Sequence, residues 1–454
     1  MTLRFYTTTI TSSVGIVNLS NTDDVVVSAN ANLLSGTYAI YGSDSGRNVT
    51  VMGSIFGVLA AIDLFGNGSG DWVTIAAGAT VTGGDAIFVA SDDATINNAG
   101  SLAATDTGIY LVANGPIHSQ IMNSGSILAT IGIFLAGSGP IDVLNTGRID
   151  ASDAALRGNS ATEAHVENFG TMIGDLSFGD LSDTLLNRGS IDGSIAMGEG
   201  DDHVTIKGHF DGFLSLDLGN DTYNGVRSLV TDDISMDGGD GNDSFFMGAA
   251  SETVQGGVGI DTVNYSRSQV GVSVFLDGSG VNGGAAQGDV LSGVERVAGT
   301  NYNDSLLGSD ADNYLSGSAG VDTISGGLGA DTLSGDAGVD RLTGGLGNDH
   351  FTFFGSAGES FDTILDFHNV AGDDDVFDIY TGGSFAGLAA GALAAAQFQA
   401  RVDNVAQDAD DRFIFRTTDT TLWYDSNGSG VGGLREIAHL QASAVLTFAD
   451  FFIH

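Results

Sequence analysis

Residues 317–353 read GSAGVDTISGGLGADTLSGDAGVDRLTGGLGNDHFTF. Glycine opens every ninth position from Gly317, and an aspartate follows each opening glycine at the same offset, at Asp322, Asp331, Asp340 and Asp349. The template G-G-x-G-x-D-x-U-x joins a glycine-rich turn to a short strand that offers one aliphatic side chain to a core. Such a strand buries too little on its own, so the pattern predicts stacked turns of a solenoid.

Two nonamers make a rung of 18 residues, and "GTNYNDSLL" from Gly299 and "GSDADNYLS" from Gly308 extend the phase upstream. The rung sets Asp304, Asp322 and Asp340 on one face and Asn313, Asp331 and Asp349 on the other. A cation held between turns would receive aspartate carboxylates and glycine carbonyls, from positions such as Gly327, Gly329, Gly345 and Gly347. Hard oxygen donors in that number suit Ca²⁺. Asn313 lacks the charge, so its site is expected to be weaker. "GGDGNDSFF" from Gly238 and "GGVGIDTVN" from Gly256 repeat the theme, so Asp243 and Asp261, with Gly239, Gly241, Gly257 and Gly259, are expected to frame an earlier site. Asp183, Asp202 and Asp221 follow at steps of 19 as a forerunner ladder, readable as metal site or bare turn.

Charge points the same way. The 454 residues carry 57 acidic against 14 basic side chains, a formal net charge of -43. Phosphate backbones would be repelled, which argues against nucleic acid, and an anionic membrane is equally disfavoured. Yet 42% of residues are hydrophobic, so the chain is expected to fold once cations neutralise its carboxylates. Several Ca²⁺ ions are therefore expected. The chain has no cysteine, which removes disulfides and thiolate sites. The opening "MTLRFYTTTITSSVGIVNL" lacks the pattern of a cleaved leader, and no apolar run reaches the ~20 residues of a membrane span.

From residue 48 to 208 a looser repeat aligns on Gly53, Gly78, Gly100, Gly125, Gly147, Gly170, Gly189 and Gly208, with steps of 19 to 25 residues. A second ladder runs through "DAIFVA", "GIYLVANGPI", "GIFLAGSGPI" and "AALRG", and it places Pro116 and Pro140 equivalently. Short β-branched strands between Gly, Asn and Asp turns predict a right-handed parallel β-helix. Asn98, Asn123, Asn145, Asn168 and Asn187 are read as turn residues that share amide hydrogen bonds in a structural ladder.

The nonamers resemble those of the RTX family of calcium-binding proteins, whose hemolysin-type repeats fold as a β-roll. The similarity extends to "GIDTVNYSRSQVGVSVFLDGSGVNGGAAQGDVLSGVERVAGTNYNDSLLG", like the irregular insert that interrupts such arrays, and to the tail. There "FDTILDFHNVAGDDDVFDI", "DDRFIFRTTDTTLWYDSNGSGVGGLREIAHL" and "LTFADFFIH" resemble the C-terminal domain of proteins exported by type I secretion. Asp450, Phe451, Phe452 and Ile453 match the acidic and apolar ending of that signal, and His454 departs from it. The resemblance implies export from a Gram-negative cell to the surface or medium, with folding coupled to calcium.

The expected architecture is all-β. Residues 1–47 form a cap or docking segment, 48–237 a parallel β-helix, 238–353 an RTX β-roll with an insert at 266–298, and 354–454 a mostly β secretion domain. The Ala-rich stretch 386–402 predicts one short helix packed on that domain. "DSNGSGVGGLRE" at 425–436 fits an EF-hand loop except at Ser429, but its flanks read as strands. Neither H-E-x-x-H nor G-x-S-x-G occurs, which removes the protease and lipase branches of the family. His118 and His165 read as isolated surface residues. Arg47, Arg148, Arg157, Arg188 and Lys207 are scattered rather than clustered, and no catalytic residue is assigned. The expected function is a non-enzymatic, self-assembling surface-layer or matrix protein. The alternatives are a β-helix polysaccharide lyase or epimerase, or a calcium-dependent adhesin for cell-surface polysaccharide.

Overall fold

The computed structural model describes residues 2–20, 23–44, 46–225, 233–355, 361–370, 372–385, 387–430 and 432–454. They form two compact units, Met1–Asp243 with Glu252–Gly259, and Ser244–Ser251 with Ile260–His454. The chain is nearly all-β, and among the described residues no α-helix occurs.

The first unit is a parallel β-helix. One of its strand columns stacks, in order, Leu3–Tyr6, Asp24–Val27, Asn48–Val51, Trp72–Ile75, Thr95–Asn98, Ser119–Asn123, Ile141–Asn145, Ala164–Asn168, Thr184–Asn187, His203–Ile206 and Thr222–Gly225. Register puts Val25, Val49, Val73, Ile96, Ile121, Val143, Val166, Leu185 and Val204 in one line, each at most 1% exposed. Alternation of such residues with polar ones along every strand closes the core. Longer strands such as Ser126–Gly137 bend at a corner and serve two further columns. The described residues of 1–47, expected as a cap or docking segment, supply the first rungs of all three columns.

The corner glycines are there for space. A Cβ on Gly147 would stand 2.1 Å from the carbonyl oxygen of Gly125, and one on Gly170 2.0 Å from that of Gly147. The asparagine ladder beside them is real: Asn98 Nδ2 donates to Asn123 Oδ1, Asn123 to Asn145 and Asn145 to Asn168, each at 2.8 Å. Asn168 donates to Asn187 at 2.9 Å. These residues do not occupy the turns expected from the sequence. They end strands with ordinary φ and point inward, so the amide chain lies among buried side chains. Arg47 is likewise sealed in, its Nε and backbone N–H both 3.0 Å from Asp71 Oδ1, with neither side chain exposed.

In the second unit consecutive nonamers send their strands to alternate columns. Thr262–Asn264, Arg296–Ala298, Tyr314–Ser316, Thr332–Ser334, His350–Phe353, Val376–Ile379 and Phe451–Ile453 stack in parallel as one column. Val272–Phe275, Ser305–Leu307, Thr323–Leu328, Arg341–Leu346, Asp362–Ile364 and Leu434–Leu440 form the other. The insert at 266–298 thus contributes a strand to each column. The ending expected as an export signal is folded, with Phe451 and Ile453 buried in the last rung.

The helix expected over 386–402 is not formed. Gly391–Ala392 is a short strand, Ala395–Gln397 a single 3₁₀ turn, and Phe398–Arg401 a strand paired with Phe413–Arg416. Gly387 and Gly391 take φ of +95° and +111°, which no helix allows, and the alanines offer too little apolar surface to hold a helix against them.

The Arg47 pair yields a direct test. Asp71→Ala leaves a buried, unmatched guanidinium and is expected to cost about 3–5 kcal/mol. The drop is read from the urea midpoint in calcium-saturated buffer.

Candidate metal centre

The structure arranges the aspartates as ladders. In the second unit each ladder residue after the first takes a hydrogen bond on Oδ1 from the backbone N–H of its counterpart one rung earlier. Asp304 N–H donates to Asp322, Asp322 to Asp340 and Asp340 to Asp362, at 2.8, 2.8 and 3.0 Å. On the other face Asn313 donates to Asp331, Asp331 to Asp349 and Asp349 to Asp375, at 2.7, 2.9 and 3.0 Å. The first unit holds a ladder of the same kind, through Asp183, Asp202, Asp221 and Asp243 at 2.7, 2.7 and 2.8 Å.

The second carboxylate oxygen decides what the ladders can do. In Asp202, Asp221, Asp322, Asp331, Asp340 and Asp349 the Oδ2 atom is buried with no protein donor. Ladder starts differ: Asp304 Oδ2 accepts from the Thr300 N–H at 2.6 Å and Asp183 Oδ2 from the Gly179 N–H at 3.1 Å. The turn is built around this oxygen. A Cβ on the opening glycine of each nonamer would stand 2.1–2.4 Å from the same nonamer's Asp Oδ2, at Gly317, Gly326, Gly335 and Gly344. Burial, reinforced by neighbouring ladder carboxylates, pushes Asp322, Asp331 and Asp221 up to about 7 and Asp202 up to about 8. Burial also raises Asp183 and Asp340 to about 6 and Asp375 to about 7. Rows of desolvated carboxylates with uncommitted oxygens fit a divalent cation of the calcium class, which supplies the charge that protein donors do not.

Most expected site residues lie on these turns. Gly239, Gly241, Gly257, Gly259, Gly327, Gly329, Gly345 and Gly347 all take φ between +97° and +148°. Asp243 accepts the Asp221 N–H in the first unit, while Asp261 belongs to the second, where its N–H donates to Glu295 Oε2 at 2.9 Å. Asn313 turns its Oδ1 to the Ser309 N–H at 2.7 Å. Two members escaped the sequence reading: Asp362 and Asp375 continue the ladders beyond the nonamers, at steps of 22 and 26 residues. The motif "FDTIL" was the available signal, since its D-T-I repeats that of Asp322. The EF-hand-like loop at 425–436 is the turn of a hairpin between Thr421–Asp425 and Leu434–Leu440.

Two other features lie on the first unit. Two adjoining open grooves of about 630 Å³ each share Tyr38, Asp63 and Phe65. Asp63 sits in register between Tyr41 and Phe88, and burial, with Asp85 nearby, raises it to about 6. His118 and His165, expected to be isolated, are brought together: their rings stack with centroids 5.6 Å apart.

The pKa shifts set a sign. Ladder pKa values above the ordinary aspartate range mean that the folded state holds more protons than the unfolded chain between about pH 4 and pH 8. Without divalent cations, stability is expected to be greatest near pH 4 and to fall through pH 8, whereas cation affinity rises over the same window as proton competition fades. Thermal unfolding of chelator-treated protein across this range, with and without Ca²⁺, checks both slopes.

The family-model match agrees with this geometry. Residues 291–324 and 316–351 match the family model of the RTX calcium-binding nonapeptide repeat (4 copies). A similar solved structure is that of the AlgE6R3 subunit from the Azotobacter vinelandii mannuronan C5-epimerase, 27% identical over 33% of this chain and 78% of that one, with a TM-score of 0.23. Comparison with curated proteins gave no match. The turns at 291–351, with their stacked aspartates, are RTX calcium-binding nonapeptide repeats.

Proposed function

We propose that the protein is a secreted, calcium-dependent, non-enzymatic structural component of the cell surface or extracellular matrix, assembling with its own copies into filaments or a surface layer. The observation that carries this reading is the run of buried carboxylate oxygens without protein donors at Asp322, Asp331, Asp340 and Asp349. A fold that buries such charge requires the cation, so it forms where calcium is abundant and stays open where calcium is scarce. That coupling suits export of an unfolded chain by the type I machinery of a Gram-negative cell, with residues 354–454 as the secretion domain. The ligands are Asp304, Asp322 and Asp340 on one face and Asn313, Asp331 and Asp349 on the other, with carbonyls of the turn glycines. Asp202, Asp221 and Asp243 hold further ions.

Self-association is supported by apolar side chains left outside in register. Leu328 and Leu346 pair across successive rungs at 43% and 62% exposure, and Val321 and Val339 stand one rung apart. Repeating apolar columns of this kind mark interaction surfaces.

A second reading, a calcium-dependent adhesin, is favoured by the groove of Tyr38, Phe65, Phe88 and Asp63, since aromatic faces and carboxylates suit the apolar faces and hydroxyls of a neutral glycan. An anionic uronate is less suited: Arg47 is sealed against Asp71, while Arg148 and Arg157 are paired with Asp150 and Asp153.

The test is a calcium titration of the purified chain, following far-UV circular dichroism and light scattering together, with chelator reversal. β-signal and scattering are expected to rise together. Folding without scattering would remove self-assembly and turn attention to glycan binding; no response in either signal would overturn calcium-coupled folding. Asp331→Asn is expected to shift the folding midpoint to higher calcium by several fold.

A further inference from the structure

The first unit brings together three side chains of metal-ligating type away from the aspartate ladders. His118 directly precedes the strand Ser119–Asn123, Asp142 lies on Ile141–Asn145, and His165 lies on Ala164–Asn168. Parallel register places Gln120, Asp142 and His165 one above another on successive rungs. His118 Nδ1 lies 3.0 Å from Asp142 Oδ1. The two imidazoles face one another at 5.6 Å with 13° between their planes. One donor atom from each of the three side chains falls within 4.8 Å of the others. His165 is held from outside the trio, its Nδ1 2.9 Å from Thr184 Oγ1 and its Nε2 3.4 Å from Glu163 Oε1.

We propose that His118, Asp142 and His165 form a binding site for a borderline transition-metal dication, Zn²⁺ being the type case. The donor set makes the distinction from the turns. Ca²⁺ takes oxygen ligands, whereas two imidazoles and a carboxylate suit Zn²⁺, Ni²⁺ or Cu²⁺. Four-coordinate ligands at about 2.0–2.1 Å from zinc stand about 3.3 Å apart, so small side-chain rotations close the observed spread. The side chains have room to make them, with exposures of 48%, 39% and 32% for His118, Asp142 and His165, and His165 exchanges one of its two present partners for the ion. Solvent access leaves an open coordination position for water or for a donor group on another molecule. The acidic chain raises the local concentration of dications at this face. The ion ties three successive rungs together, where loops join otherwise short strands, and stabilises the folded unit by linkage.

The full chain is first saturated with Ca²⁺, which fills the carboxylate ladders, and is then titrated with Zn²⁺ alone by calorimetry and with Co²⁺ by visible absorbance. The wild type is expected to bind one equivalent that excess Ca²⁺ does not displace, to give Co²⁺ bands of nitrogen ligation, and to melt at higher temperature with Zn²⁺. His118→Ala combined with His165→Ala is expected to weaken this site at least tenfold and abolish the thermal shift, with the calcium-dependent circular dichroism unchanged. His118→Ala alone, at the more exposed ring, repeats the test with less disturbance to the strands. A wild-type chain with no calcium-resistant Zn²⁺ uptake, or variants that titrate like the wild type, would overturn the site.

Discussion

Each interior ladder aspartate is asked to do two things with one carboxylate. Its Oδ1 ties the backbone of the preceding rung, and its Oδ2 is left inside a turn with no hydrogen to accept. The rest of the repeat follows from that division. The opening glycine exists because a Cβ would occupy the place of the uncommitted oxygen. The following glycines take left-handed φ so that the turn can close around it. Burial without a donor destabilises the charged form, so protonation or a cation must complete the fold. The second unit is therefore held by a hydrophobic core whose formation is conditional on its electrostatics.

In the β-helix the same stacking problem is solved without charge. The amides of Asn98 through Asn187 each donate to the next rung, and from Asn123 on each accepts from the one before, while Asn98 accepts from the Gly100 N–H, so the ladder is satisfied without an ion. Where the rungs shorten, an aspartate ladder begins at the opposite end of the same strands, and Asp183, Asp202 and Asp221 already have the carboxylate geometry of the later repeats.

The sequence made the periodic parts legible because a solenoid repeats one environment. A fixed step in glycine and aspartate is a fixed step in space, which located Asp304 through Asp349 and the corner glycines from Gly53 to Gly208. What escaped it was aperiodic or long-range. Asp362 and Asp375 occupy ladder positions although the loops before them break the period. His118 and His165 lie far apart in sequence but meet because one side chain reaches forward along its strand while the other sits two rungs on. The stretch 386–402 misled by its apolar spacing, since Gly387 and Gly391 set the backbone against a helix. Asn145 and its neighbours were assigned the right partners and the wrong backbone, because asparagine suits both a turn and a buried amide ladder.

The ladder bonds also have a direction. Every N–H in them points to a carboxylate later in the chain, so each ladder N–H is satisfied by the segment that follows its rung. The nonamer array consequently cannot close upon itself: the N–H groups of Asp340 and Asp349 find their acceptors in Asp362 and Asp375, outside the repeats. The segment after the last nonamer acts as the keystone of the stack, and a chain emerging from its N-terminal end holds an incomplete edge until that segment has arrived.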